Sequence, residues 1–306
     1  MSGRASLVRA LLRSHEDRND AAFWATARAM AAEEAEAGHV HIAKEFTTLI
    51  DRAAGKPAVR KSSGMVTITS PTSRLADLVV DPAISAAIER VITEHQRREL
   101  LEDHGFSAAH RLLFTGPPGT GKTLTARVIA AEMELPLMTV RLDSVIDSHL
   151  GASASNLAKI FEDIVAEPAV WLFDEIDALG GDRGRDDVGE ARRILNSILM
   201  FLEQDQMQGI IIAATNYPSI LDKALFRRFD LRVDYFLPDV ADAVTVLRSR
   251  LGPLGTSIKW EEVGPLTAGM SHAELVRAAE TAAKTAILSG ETTVGHALVA
   301  ALGACG

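Results

Sequence analysis

Residues 111–123 restrict the fold of this chain more than any other segment. A short apolar run from Arg111 to Thr115 is followed by glycines and prolines, and then by a helical pattern that begins near Thr123. Residues 116–123 read Gly-Pro-Pro-Gly-Thr-Gly-Lys-Thr and match the spacing of a phosphate-binding loop between a strand and a helix. Glycines let backbone N–H groups approach phosphate oxygens, and the N-terminus of the helix adds its positive dipole end. The sequence therefore predicts a nucleoside triphosphate site on an α/β fold.

This loop supplies groups for both the triphosphate and its metal ion. Lys122 is expected to reach the β- and γ-phosphates, and the hydroxyl of Thr123 is expected to coordinate Mg²⁺. The predicted nucleotide-binding residues in this segment are Gly116, Pro117, Pro118, Gly119, Thr120, Gly121, Lys122, Thr123 and Leu124.

A second chemical signal is a buried strand that ends in two carboxylates. Residues 170–173 are apolar and are followed by Asp174 and Glu175. Carboxylates at the end of a buried strand are costly unless a cation lies beside them. Asp174 fits the carboxylate that holds the Mg²⁺ shell, and Glu175 fits the base that activates or orients the attacking water. The alternative is a strand end that opens into solvent, and the neighbouring phosphate-binding motif disfavours it.

The rest of the chain divides by pattern into four parts. Residues 1–54 carry helical apolar stripes and predict a small N-terminal helical bundle, and residues 55–66 are rich in Gly, Pro, Ser and basic residues, as in an exposed linker. Apolar runs alternate with helical patterns over residues 67–238, which is typical of a parallel sheet covered on both faces. Residues 239–306 read as helices.

Charge and composition exclude several classes of protein. The 32 basic and 41 acidic residues give a net charge of −9, which disfavours a nucleic-acid coat. The one cysteine, Cys305, rules out a disulfide within the chain, and no apolar run approaches the roughly 18 residues of a membrane helix. We therefore expect a cytoplasmic protein without a nucleic-acid or membrane partner. The cluster of Glu33, Glu34 and Glu36 is expected to form a solvated helix face.

Taken together, the motifs resemble those of the AAA ATPases, a branch of the AAA+ superfamily, from about residue 75 to about residue 290. The resemblance rests on the phosphate-binding loop, on Asp174-Glu175-Ile176-Asp177, on Thr215-Asn216, on Arg227-Arg228-Phe229-Asp230 and on Gly269-Met270-Ser271-His272-Ala273-Glu274-Leu275. It implies a P-loop NTPase core with a parallel five-stranded sheet, a C-terminal helical lid over residues 239–306, and ATP and Mg²⁺ as cofactors.

The resemblance also implies roles for single residues. Asn216 would contact the attacking water and the γ-phosphate, although it also suits a turn before Tyr217-Pro218. Arg227 and Arg228 would supply an arginine finger to a neighbouring subunit, which implies a homo-oligomeric ring, usually a hexamer. Both are candidates because they are adjacent, and a solvated arginine pair is the alternative. Adenine would lie near Asp77 and Leu78.

Two positions depart from the family pattern. His149 and Leu150 align with a pore loop that usually carries an aromatic residue gripping extended polypeptide. The imidazole is smaller and more polar, so the grip is weaker, the substrate differs, or the protein does not thread its substrate. Arg250 lies where the family often has a histidine that contacts the nucleotide.

These features favour Mg²⁺-dependent ATP hydrolysis in a ring that remodels, unfolds or translocates a protein substrate or partner. The alternative is an ATP-switched scaffold that activates a bound effector enzyme, such as a protease or nuclease, without threading. A nucleic-acid motor is disfavoured by the net charge of −9. A kinase is disfavoured because the acidic pair, the asparagine and the arginines suit water as the acceptor.

Overall fold

The structure is a computed structural model of the chain. It describes residues 3–16, 20–36, 39, 42–43, 46, 50, 64–145, 152–179, 194–195, 197–198, 200–202, 209–221, 223–289 and 294–305. The chain separates into two compact units, Met1–Ser62 and Ser63–Gly306.

The N-terminal unit contains a pair of helices, α1 (Gly3–Glu16) and α2 (Asp20–Glu36), which pack against each other. Phe23 lies edge-on to Trp24, with ring centroids 4.9 Å apart. Glu34 is buried, and its carboxylate lies 2.8 Å from Nδ1 of His39. The expectation of a fully solvated acidic face is therefore wrong at Glu34, because a partner five residues along the chain allows the carboxylate to be buried.

The larger unit is built on a six-stranded sheet in the order β1-β3-β4-β5-β2-β6. Its strands are β1 (Val66–Thr69), β2 (Arg111–Thr115), β3 (Leu137–Val140), β4 (Val170–Phe173), β5 (Ile210–Thr215) and β6 (Leu231–Asp234). Strands β2 to β6 are mutually parallel, which confirms the predicted five-stranded parallel core. The prediction omitted β1, which pairs antiparallel with β3 at the edge. The side chains of β1 alternate between half-buried and exposed, so the strand lacks the continuous apolar run of its neighbours.

Helices cover both faces of the sheet. The helices between β1 and β6 include α3 (Pro82–Gln96), α4 (Arg98–Asp103), α5 (Lys122–Glu132), α6 (Leu142–Val145), α7 (Ala152–Ala166) and α8 (Lys223–Phe226). All of these except α4 contribute buried side chains to the two cores beside the sheet. Trp171 packs in one apolar core with Phe161 of α7, whereas the next residue, Leu172, packs in a second core with Ile129 of α5. Successive side chains of a strand point to opposite faces, so a strand with a core on each side is apolar throughout.

The C-terminal part of the larger unit is helical, as predicted. It comprises α9 (Val240–Leu251), α10 (Trp260–Val263), α11 (His272–Ser289) and α12 (Gly295–Cys305). These helices share a separate core in which Ala279 and Ala282 are fully buried between longer side chains such as Leu247 and Leu298. Over the residues that the structure describes, no helix combines the length and the apolar character needed to cross a membrane.

Candidate functional site

The phosphate-binding loop joins β2 to α5 and depends on glycines with special backbone geometry. Gly116 has φ +143°, and a Cβ at this position would lie 2.2 Å from the carbonyl oxygen of Tyr235. Gly121 has φ +101° and directly precedes α5. Side chains other than hydrogen are excluded sterically at the first position and are strained at the second. The loop therefore keeps its backbone open at the N-terminus of α5, where phosphate groups bind.

Lys122 lies folded against this loop. Its Nζ donates hydrogen bonds to the carbonyl oxygens of Gly116 at 2.7 Å and of Pro117 at 2.8 Å, and the side chain is buried. Burial lowers the pKa of Lys122, and the nearby carboxylates of Asp174, Asp177 and Glu175 offset part of that effect. A triphosphate would add negative charge beside this buried ammonium, which favours its charged form.

Residues suited to Mg²⁺ lie beside the lysine. The hydroxyl of Thr123 donates to Oδ2 of Asp174 at 2.8 Å, which brings the first turn of α5 to the end of β4. Both groups are oxygen ligands of the kind that Mg²⁺ prefers when it also binds phosphates, so they fit the implied ion. Glu175 follows with φ 52°, a left-handed conformation that is uncommon for glutamate, and its side chain is exposed.

A third carboxylate, Asp177, fixes the end of β5. Its Oδ1 accepts a hydrogen bond from the hydroxyl of Thr215 at 2.8 Å and another from the backbone N–H of Asn216 at 2.9 Å. The Thr215 hydroxyl in turn accepts from the N–H of Tyr217 at 3.1 Å. The position of Asn216 is thus tied to the acidic segment after β4. The sequence alone predicts no role for Asp177, although its place in the acidic run after the strand is a usable signal.

The loop, the acidic segment and Asn216 meet at one edge of the sheet. Each follows a parallel strand, and the carboxyl ends of parallel strands share an edge, which is where ligands bind in open α/β sheets. The structure thus places Lys122, Thr123, Asp174 and Asn216 at the same end of the parallel strands, and their roles in nucleotide binding and hydrolysis stay predictions.

Arg227 and Arg228 do not join this group. They lie in the turn between α8 and β6 and so precede a parallel strand. This places them at the amino-terminal end of the parallel strands, opposite the phosphate-binding loop. Asp230 pins this turn to the start of β2, because its carboxylate accepts from the backbone N–H of Arg111 at 2.9 Å and from the guanidinium of Arg111 at 2.8 Å. Arg111 and the first residue of the phosphate-binding loop, Gly116, are five residues apart along β2, which is about 17 Å in an extended strand.

A cavity of about 630 Å³ adjoins the phosphate-binding loop. Asp77 and Leu78, predicted to lie near adenine, line it together with Leu124 of α5, and Arg250 and His272 line it from the C-terminal helices. This volume lies within the range of small-molecule sites. The guanidinium of Arg250 forms an ion pair with Glu280. The predicted pore-loop residues His149 and Leu150 lie outside the described residues.

Comparison with known proteins agrees with this geometry. The family model "ATPase family associated with various cellular activities (AAA)" matches residues 112–236. The chain is 36% identical over 235 residues to the uncharacterized AAA family ATPase y4kL of Sinorhizobium fredii, covering 76% of this chain and 71% of the relative.

Two further relatives are ATP-dependent zinc metalloproteases. The chain is 33% identical over 249 residues to FtsH of Acidothermus cellulolyticus, which covers 78% of this chain and 37% of the relative. It is 31% identical over 238 residues to FtsH 3 of Sphaerobacter thermophilus, covering 75% of this chain and 49% of the relative. The chain spans less than half the length of these two relatives. The site geometry and the match to y4kL show that the chain belongs to the AAA family of ATPases and hydrolyses ATP.

Proposed function

We propose that this ATPase assembles into a homo-oligomeric ring, of hexameric form, in which Mg²⁺-dependent ATP hydrolysis drives the remodelling, unfolding or translocation of a protein. The observation that supports a ring is the separation, within one chain, between the phosphate-binding loop and the arginine turn that holds Arg227 and Arg228. Arg227 and Arg228 stand at the opposite edge of the sheet from the loop, so they suit a site on the next subunit. A heterologous contact of this kind repeats around a closed ring.

Each residue of the site has a proposed task in hydrolysis. Lys122 neutralises charge on the β- and γ-phosphates, and Thr123 with Asp174 would hold Mg²⁺, which would supply further charge stabilisation when bound. Glu175 accepts a proton from the attacking water, which Asn216 helps to position. The proposed tasks agree with the contacts of Asp174 and Asp177, which tie these residues to one edge of the sheet.

The protein substrate is supported by the relatives. The FtsH proteins are named ATP-dependent zinc metalloproteases, so ATP serves an activity directed at proteins in these relatives. This chain matches less than half of their length, so we transfer the protein-directed use of ATP and not the protease. We place the protein in the cytoplasm, in keeping with its single cysteine.

The substitution Glu175→Gln tests the hydrolytic assignment. It keeps the size of the side chain and removes the base, so the steady-state rate of ATP hydrolysis should fall about 100-fold or more while ATP binding and assembly persist. Glu134→Gln is the matched control, because Glu134 is also exposed and left-handed, at φ 55°, but lies after α5. Turnover of the Glu175→Gln variant within twofold of the unmodified protein would refute the role of Glu175.

The alternative function is an ATP-switched scaffold that activates a bound effector enzyme without threading, and the residue that favours it is His149 in the predicted pore loop. A tagged fluorescent protein distinguishes the two functions. Loss of its fluorescence in the presence of ATP and the assembled protein supports remodelling. Full ATPase activity with no loss of fluorescence favours the scaffold.

A further inference from the structure

The carboxylate of Glu132, the last residue of α5, contacts a short turn at Leu75–Asp77. The backbone N–H of Leu75 donates to Oε1 of Glu132 at 3.0 Å, and the two residues are 57 positions apart in the chain. The side chain of Leu75 packs against the core that also contains Ile129 of α5. A carboxylate that accepts from a backbone N–H makes one of the stronger hydrogen bonds in proteins. The contact therefore holds the turn against the C-terminal end of α5.

Hydrogen bonds within the turn give it a defined shape. The N–H of Arg74 donates to Oδ2 of Asp77 at 2.7 Å, and the N–H of Leu78 donates to the carbonyl oxygen of Leu75 at 3.0 Å. These bonds connect neighbouring residues, so they do not place the turn relative to the phosphate-binding loop. The bond to Glu132 does, because α5 begins at that loop.

The two ends of α5 border different parts of the candidate site. Lys122 and Thr123 form its first turn, at the phosphate-binding loop, and Glu132 lies ten residues after Lys122, which is about 15 Å along a helix. Asp77 and Leu78, at the end of the turn that Glu132 holds, line the cavity of about 630 Å³ beside the loop. One helix thus sets the distance between the loop and the wall formed by Asp77 and Leu78.

The position of Glu132 is unfavourable for the helix itself. The C-terminus of a helix is the negative end of its dipole, so a carboxylate in the last turn is destabilising. Residues 129–132 include no basic residue that would offset it. The side chain of Glu132 is half-buried, and its hydrogen bond to Leu75 stabilises a tertiary contact and not the helix.

We propose that Glu132 is a positioning residue for the nucleoside half of ATP. By holding the turn, it fixes the wall formed by Asp77 and Leu78 at the distance from the loop that bound ATP requires, and it contacts neither the nucleoside nor the phosphates. This proposal rests on the proposed placement of the nucleoside beside Asp77 and Leu78. Without the anchor, binding must also order the turn, which lowers the affinity for the nucleoside and not for the phosphates.

Three substitutions of Glu132 separate its role as an acceptor from its charge. Glu132→Ala removes the acceptor, and Glu132→Asp keeps the charge but withdraws the carboxylate by one methylene. Both should raise KM for ATP about five- to tenfold and leave kcat within twofold. Glu132→Gln keeps an acceptor at the same distance from the backbone, so its KM should lie within twofold of the unmodified protein. Glu162→Ala is the control, because Glu162 is an exposed glutamate within α7.

Two ligands locate the effect on binding. ADP contains the nucleoside, whereas tripolyphosphate retains the phosphates and lacks it. Calorimetry should show that Glu132→Ala binds ADP about five- to tenfold more weakly than the unmodified protein does, and that it binds tripolyphosphate within twofold.

Hydrogen exchange in the absence of nucleotide measures the anchor itself. The amide of Leu75 should exchange about tenfold faster in Glu132→Ala and Glu132→Asp than in the unmodified protein, because its acceptor is lost. In Glu132→Gln its exchange rate should stay close to the original.

Several outcomes would overturn the proposal at different steps. Unchanged exchange at Leu75 in Glu132→Ala would mean that the carboxylate does not hold the turn. Faster exchange with unchanged ADP binding would mean that the turn does not position the nucleoside. Equal weakening of ADP and tripolyphosphate would mean that Glu132 acts on the loop through α5. Retention of ADP binding in Lys122→Ala would instead show that the nucleotide does not occupy this loop, and the proposed site would fall together with the role of Glu132.

Discussion

At the scale of single residues, Asp177 shows how a side chain without contact to the reacting atoms can control a site. One of its oxygens accepts from both the buried hydroxyl of Thr215 and the N–H of Asn216, at 2.8 and 2.9 Å. Asn216 is the residue predicted to contact the attacking water. Asp177 is therefore a positioning residue, which acts through the backbone that carries Asn216.

Replacement of Asp177 should reduce turnover and spare nucleotide binding. Asp177→Ala leaves the hydroxyl and the N–H without an acceptor, so the turn at Asn216 loses its anchor. Because displacements of about 1 Å can slow catalysis about 100-fold, we expect kcat to fall by roughly 10- to 100-fold. The affinity for ADP should stay within about twofold, because Asp177 is not a predicted ligand of the nucleotide. Steady-state ATPase kinetics and ADP titration measure the two effects.

The conservative substitution provides the control for this prediction. Asp177→Asn retains a carbonyl oxygen that can accept both hydrogen bonds, so its kcat should lie within a few-fold of the unmodified protein. A variant with asparagine that is as slow as the variant with alanine would show that the charge of Asp177, and not its position as an acceptor, matters for turnover.

Single residues also show which features of the structure the sequence predicts and which it does not. The motif at residues 116–123 predicted the loop because its glycines are required sterically, since a Cβ at Gly116 would lie 2.2 Å from the carbonyl oxygen of Tyr235. The burial of Glu34 was not predictable from its helix, because it depends on His39 beyond the helix end.

At the scale of elements, the parallel strands were predictable and the edge strand was not. Strands β4 and β5 are buried along their whole length, so each appears in the sequence as a continuous apolar run. The four residues of β1 alternate Val-Thr-Ile-Thr, a pattern that many exposed segments share. Its pairing with β3, some 70 residues further along the chain, is a tertiary contact that local pattern cannot specify.

One ionic contact joins two elements and should make stability depend on pH. Burial raises the pKa of Asp230, but hydrogen bonds from the side chain of Arg111 and from the N–H groups of His110 and Arg111 outweigh it, so the pKa lies below its usual value. A carboxyl group with a depressed native pKa stabilises the fold above its unfolded pKa of about 3.9. That stabilisation disappears as the pH falls through the lower native pKa.

Asp230→Asn should therefore lower the free energy of unfolding at pH 7 by about 1–3 kcal/mol, and the difference from the unmodified protein should shrink below about pH 4. Urea unfolding at steps from pH 7 to pH 3 measures this difference in the free energy of unfolding. Asp143→Asn is the control: Asp143 also pairs with an arginine, Arg141, but both side chains are exposed, so no change is expected. A deficit for Asp230→Asn that stays constant to pH 3 would contradict the assignment.

At the scale of the whole molecule, the fold separates the two halves of the proposed catalytic centre. The loop, Asp174 and Asn216 lie at the carboxyl edge of the parallel strands, whereas Arg227 and Arg228 precede β6 at the other edge. Asp230 anchors the arginine turn to the start of β2, so the turn cannot move to its own loop without breaking the hydrogen bonds to Arg111. If the arginines stabilise transferred phosphate, they do so in another copy of the chain.

Mixing two inactive variants tests this division. The Arg227→Ala/Arg228→Ala double variant keeps an intact loop and lacks the arginines, and Lys122→Ala keeps the arginines and lacks a functional loop. Each should show at least a 1000-fold loss of ATPase activity by itself. In randomly mixed rings, about a quarter of the interfaces join an intact loop to an intact arginine turn, because a heterologous contact pairs two independently chosen subunits. Equimolar mixtures should therefore recover up to about a quarter of the full activity, measured as phosphate release.

The mixture must be compared with each variant alone at the same total concentration, and light scattering must show assemblies of equal mass in all samples. Exchange is verified by labelling the two variants with different fluorophores and measuring energy transfer. Recovery requires that one chain supplies the arginine and another the loop, because neither variant contains both. Mixed assemblies that form normally and stay inactive would place the arginines outside the catalytic centre. Substantial activity of the double variant alone would show that hydrolysis does not need them.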